Sequence, residues 1–107
     1  MSMGDMMKAL EQARQMQGKL EEIQAELARM TVTGSAGGGM VTVEADGKGQ
    51  LRAVKIDPSI VTSDDVEMLE DLVLVAVTDA QQRAAQLAQN EMGKLTGGLN
   101  LPFKLPF

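Results

Sequence analysis

The residues of this chain that could do chemistry are carboxylates, hydroxyls and a scatter of lysines and arginines. There is no histidine and no cysteine, which removes the commonest general base and the commonest soft metal ligand. Serine and threonine hydroxyls are present, but no activating base accompanies them. Three pairs of adjacent acids occur: Glu21-Glu22, Asp64-Asp65 and Glu70-Asp71. Sequence neighbours on a helix do not face each other, so none of the pairs makes a shared-proton dyad. Asp64-Asp65 reads as the capping of a helix start, and the other two as solvated faces. The glycine-rich run at 34–39, Gly-Ser-Ala-Gly-Gly-Gly, has the composition of a phosphate cradle. A phosphate loop needs Lys-Ser/Thr after its glycines and then a helix. Here Met-Val-Thr-Val follows, which is strand-like, so the run reads as a flexible turn between strands. These residues predict no enzyme, no cofactor, no metal site and no small-molecule substrate.

What remains is charge and its placement. The net charge is −5, which taken alone argues against nucleic acid. Trp and Tyr are absent and both Phe lie in the last five residues, so there is no aromatic platform for stacking unpaired bases. The total hides a segregation, however. Residues 21–79 hold 12 acids against 4 bases, a net of −8, whereas 1–20 together with 80–107 hold 6 bases against 3 acids, a net of +3. If the start and the end of the chain lie side by side, the two mildly basic, Gln-rich parts coincide. Phosphates attract Lys and Arg, and amides can hydrogen-bond them. A surplus of +3 is also what chance scatter on an ordinary surface would give, and composition leaves both accounts open.

The elements that would place those charges are legible in the periodicity. Met6, Ala9/Leu10, Ala13, Met16, Leu20, Ile23, Leu27 and Met30 recur at spacings of three and four, one helical stripe about seven turns long. Gly18 sits inside it and reads as tolerated. Thr31-Val32-Thr33 predicts a short first strand, residues 40–45 a second and 50–57 a third. Asp46-Gly47 between the last two is a hairpin signal in which both central residues take positive φ. Thr62 or Ser63 is the expected N-cap of a second helix, whose stripe runs through Val66, Leu69, Val73, Val77, Ala80, Ala84, Leu87 and Ala88. Its middle, Leu72 to Val77, is apolar all round and predicts burial against the sheet on one side and a second subunit on another. Thr96-Gly97-Gly98 would stop it.

The fold class is therefore α+β: a long N-terminal helix, a three-stranded antiparallel sheet and a long C-terminal helix (α-β-β-β-α). One domain spans 1–98. A tail at 99–107 carries two Leu-Pro-Phe copies and reads as extended, disordered chain. Strands apolar on both faces need cover on both sides. Val41, Val43, Leu51, Val54 and Ile56, with Val73 and Val77 of the helix, are thus expected at a dimer interface. No run of 18 apolar residues or signal-peptide core is present. The expected location is cytoplasmic.

Several stretches together resemble the YbaB/EbfC family of bacterial nucleoid-associated proteins. They are the Met-rich first helix with Met16-Gln17 and Leu20, the region 39–56, Lys55-Ile56-Asp57-Pro58-Ser59, Met68-Leu69-Glu70-Asp71-Leu72-Val73, Ala80, and Met92-Gly93-Lys94-Leu95-Thr96-Gly97-Gly98 with the Leu-Pro-Phe ending. The resemblance implies a tweezer-like homodimer whose sheets join at the two-fold and whose paired helices grip double-stranded DNA in the nucleoid. It implies little sequence specificity and a role in organising the chromosome and modulating gene expression. By position, the DNA contacts fall on Lys8, Arg14, Lys19, Arg83 and Lys94. The alternative is a dimeric helical scaffold that docks a protein through its apolar prongs or its tail.

Overall fold

The computed structural model describes residues 2–99 of the chain, with side chains as far as Leu95. Helix α1 (Met3–Arg29) leads into strands β1 (Thr31–Ala36), β2 (Val41–Asp46) and β3 (Leu51–Ile56), and helix α2 (Val66–Leu99) follows. The strands form one antiparallel sheet in the order β1-β2-β3. This is the expected α+β, α-β-β-β-α order. The molecule measures 74 × 22 × 17 Å, because the sheet and the first half of α2 make a small base from which helix projects.

The core of that base lies between α2 and the near face of β1 and β2. Val41, Val43 and Ala45 have no exposed surface, and neither have Ala76 and Ala80 above them. Burying a valine side chain contributes about 1.5–3 kcal/mol. The helix comes this close because its own contacts are alanines and because β1 carries Gly34. A Cβ at Gly34 would lie 2.3 Å from the Ala76 carbonyl oxygen and equally close to the Ala80 nitrogen. Gly34, Ser35 and Ala36 are therefore strand, not the start of the loop, which shrinks to Gly37–Gly39.

The hairpin turn also differs from expectation. Asp46 N–H donates to Gln50 O at 2.9 Å and Gly49 N–H to Asp46 O at 3.0 Å, which leaves a three-residue loop. Only Gly49 takes positive φ, at 86°, as in a turn closed by one left-handed residue. Gly47 is needed for a different reason: its N–H donates to Leu27 O at 2.8 Å, and a Cβ there would meet that oxygen at 2.7 Å.

The ends of α2 are displaced as well. Asp65, not Thr62 or Ser63, caps it, its Oδ1 accepting from Met68 N–H at 3.0 Å. The helix runs through Thr96-Gly97-Gly98 to Leu99, so helical hydrogen bonding carries across two glycines. The extended tail expected beyond it lies outside the described residues, apart from Leu99.

Candidate nucleic-acid interface

The projecting part of the molecule is a helix pair. The chain descends α1 into the sheet and leaves along α2, so the two run antiparallel where they meet. The meeting point is a cleft of about 460 Å³ lined by Gln24 and Leu27 of α1, the Gly47–Gly49 turn, and Gln81, Ala84 and Ala88 of α2. The root of α1 is fixed there by backbone. Gly47 holds Leu27 O, and the Arg52 guanidinium donates to Ala28 O at 2.7 Å.

Outward from the root, Leu27 is buried and Ile23, Leu20 and Met16 are half-buried. On α2, Ala84 is buried and Leu87, Ala88, Glu91, Met92 and Leu95 are half-buried. The alternating spacing of three and four along α1 is that of a two-helix seam. Farther out the seam is bare: every described residue from Ser2 to Gln15 is exposed.

All five cations expected to meet DNA lie on these two helices and all are exposed. Lys8 and Lys19 are eleven residues apart, as are Arg83 and Lys94. Three turns of helix take up about 10.8 residues, so each pair makes a row along its helix, about 16 Å from one cation to the next. Arg14 points elsewhere on α1 and lies 3.9 Å from Glu11. Arg83 is held by Asp79 at 3.2 Å and Lys94 by Glu91 at 3.0 Å. Among the described residues, Lys8 and Lys19 have no ion-pair partner. The pairs Asp79…Arg83 and Glu91…Lys94 stand at i,i+4 and i,i+3 and were readable as helix-face ion pairs.

The base carries the fixed negative charge. Asp46, 1% exposed, accepts from Gln50 N–H, Lys48 N–H and the Arg52 guanidinium. The Gln50 backbone donor first, then Lys48 and Arg52, hold its carboxyl below the ordinary value of 3.8, against the opposing effect of burial. Asp79 is likewise lowered, chiefly by Ser35 N–H donating to it at 3.0 Å. Asp57 is lowered by Ser59 N–H. The Asp46–Arg52 link was missed in the sequence, where Asp46 reads only as a turn residue. An acid six positions before an arginine across a hairpin was the one available signal.

The residues expected at a dimer interface divide. Val41 and Val43 are wholly enclosed by this chain's own α2, so they belong to the core of the protomer and are corrected to it. Val73 and Val77 are half-buried against that same core. Leu51, Val54 and Ile56 of β3 remain 40%, 47% and 36% exposed. Val54 and Ile56 stand directly across from Val43 and Val41, so they continue the core face beyond the part that α2 covers. The expectation that the α2 middle is pressed on several sides holds within this chain on one side only. Leu74 and Val75 are 65% and 54% exposed.

Comparison with known proteins agrees with this architecture. The model of the YbaB/EbfC DNA-binding family matches residues 3–99. A nucleoid-associated protein of Gemmatimonas aurantiaca is 50% identical over 103 residues, covering 96% of this chain and 99% of that one. One of Paramagnetospirillum magneticum is 55% identical over 108 residues, covering 99% and 98%. Among solved structures, an uncharacterized protein of Helicobacter pylori has the same fold, with a TM-score of 0.71 at 22% identity over 89% of this chain and 97% of that one.

Proposed function

Because the chain belongs to the YbaB/EbfC DNA-binding family, we propose that it is a non-enzymatic protein of the bacterial nucleoid that grips double-stranded DNA as a homodimer. The observation that carries this is the placement of cations. In a chain of net −5, the projecting helix pair bears two rows, Lys8/Lys19 and Arg83/Lys94. When two antiparallel helices share one seam, rows displaced in the same rotational sense from it fall on the same side of the pair. Such a surface binds phosphates and reads no base edges, so binding is tolerant of sequence. The acidic base repels the duplex and keeps it at the arms. Dimerisation joins the uncovered β3 faces at Leu51, Val54 and Ile56 and doubles the rows to eight cations. In the cytoplasm such a dimer coats and bends chromosomal DNA and so modulates gene expression.

The test is fluorescence anisotropy of a labelled duplex at 50 and 200 mM salt. Eight phosphate contacts predict a loss of affinity of about 10³- to 10⁵-fold between the two. A quadruple variant, Lys8→Glu, Lys19→Glu, Arg83→Glu and Lys94→Glu, should not bind at either salt. Binding by the variant equal to that of the parent would sink the assignment to the arms.

A further inference from the structure

Helix α1 carries a second apolar stripe, separate from the seam. Met3, Met7 and Leu10 are 80%, 67% and 64% exposed, and exposed Arg14 ends the row. At about 100° per residue these four fall within about 60° of one another, and about 140° from the seam residues Met16, Leu20, Ile23 and Leu27. Helix α2 carries a counterpart. A shallow groove of about 320 Å³ is lined by Asp65, Met68, Leu72 and Val75, with Glu67 and Asp71 beside them. Met68 and Val75 are 41% and 54% exposed, and Leu72 is half-buried against Gly37. Asp79, on the same face of the helix, accepts from Ser35 N–H of β1. The groove therefore lies on the β1 side of α2, away from β3. Among the described residues, Glu67 and Asp71 have no ion-pair partner. Nor is a cation close in sequence: residues 56–82 hold seven acids and no lysine or arginine.

We propose that the outer stripe of α1 docks in the α2 groove of a second copy of this chain. The two patterns match. Met3, Met7, Leu10 and Arg14 step by four, three and four, while Val75, Leu72, Met68 and Asp65 step back by three, four and three. Laid antiparallel, Met3 meets Val75, Met7 meets Leu72, Leu10 meets Met68 and Arg14 meets Asp65, each in step to within about 1.5 Å. Charge sets that direction. The Oδ1 of Asp65 caps α2, which leaves Oδ2 for Arg14. In its own chain Arg14 has only Glu11, at 3.9 Å. In this register Glu11 falls on the flank away from Glu67 and Asp71. The occupant has to be another molecule. From the root at Leu27 the stripe extends outward to Met3, about 36 Å, whereas Val75 lies about 14 Å from Ala84 in the opposite sense. Tip and groove of one chain are thus roughly 50 Å apart. Donor and acceptor are different patches, so the contact is heterologous and does not close on itself. Lys8 and Lys19 point about 140° away from the stripe, so an arm can dock while its cations stay free for phosphate. Copies lying along one duplex then link arm to base, which makes their binding cooperative.

Sedimentation velocity of the full chain without DNA, from low to high micromolar protein at low salt, reads this directly, and its failure leaves the DNA assignment standing. The average mass of the parent should at least double over that range. An arm variant, Met7→Glu with Leu10→Glu, and a groove variant, Met68→Glu with Val75→Glu, change exposed side chains only. Each alone should keep its low-concentration mass throughout. Mixed in equal amounts they should regain the rise, because the arm variant keeps an intact groove and the groove variant an intact arm. That recovery also shows that both variants are folded. A parent whose mass stays constant would overturn the proposal. So would a rise in the groove variant alone, which would mean arm against arm, or in the arm variant alone, which would mean groove against groove. A mixture that stays at the mass of its components would overturn it too.

Discussion

Val43 in the sheet has no exposed surface, whereas Leu10 on α1 is 64% exposed, and the two sit in parts of the molecule held together differently. In the base, small residues let backbone approach backbone: Gly34 under Ala76 and Ala80, Gly47 against Leu27. Each carboxylate whose pKa is lowered, Asp46, Asp57 and Asp79, lies in that region or on the α2 segment facing it. The arm has one seam, and its ion pairs are exposed cations beside acids on the same helix, each worth no more than about 1 kcal/mol. A base with no adjustable gap and an arm with a single row of contacts teach where stability and where function reside. Changes to the base should register as folding, and changes to the arm surface as binding.

The sharpest way to break that division is Gly34→Val. A β-branched side chain cannot fit where a Cβ already meets helix backbone, so the cost should reach or exceed the upper end of the usual overpacking range, about 3 kcal/mol. Urea unfolding should show it as a large fall in midpoint. A variant with parental stability would mean that α2 can lift from β1 freely.

Acid is the next test. A carboxyl whose folded pKa lies below its unfolded value stabilises the fold above the unfolded value, and that contribution is lost as pH falls through the folded one. For Asp46 and Asp79 the window lies below the ordinary 3.8. Stability should thus be flat from pH 7 to about 5 and fall below pH 4. Asp46→Asn should be less stable at pH 7 and show a shallower acid fall. An unchanged acid profile would remove Asp46 from the account.

The smallest effect is expected at Gly18. A Cβ there meets nothing within 4 Å, so the glycine is not needed for a close approach within the chain. Gly18→Ala should stabilise by about 0.5–1 kcal/mol, read as a small rise in melting temperature with DNA affinity unchanged. Loss of affinity instead would show that the gap at this position serves the partner or the duplex.

These contrasts also explain what was legible beforehand. The α1 stripe, β2 and β3 follow from periodicity because those residues sit on faces with a period. Gly34 was misread because a glycine gives no sign of whether it serves a turn or a crossing helix. The cap moved from Thr62 or Ser63 to Asp65 because four consecutive residues there can all cap, and only tertiary position selects one. Val41 and Val43 were assigned to a partner because alternation tells which residues are covered but not by which chain. The cation rows and the helix-face spacings of Glu11, Asp79 and Glu91 were visible by number, while side-chain geometry showed that those acids do pair.

The bond from Ser35 N–H to the Asp79 carboxylate has a consequence for stoichiometry. It occupies a donor on the free edge of β1, where an incoming strand would have to bond. Sheets polymerise when both edges are open. Here α2 guards one edge with a charge and leaves β3 open, so strand addition has a first step and meets a barrier at the second. A sheet guarded at one edge does not extend into a fibre by strand addition.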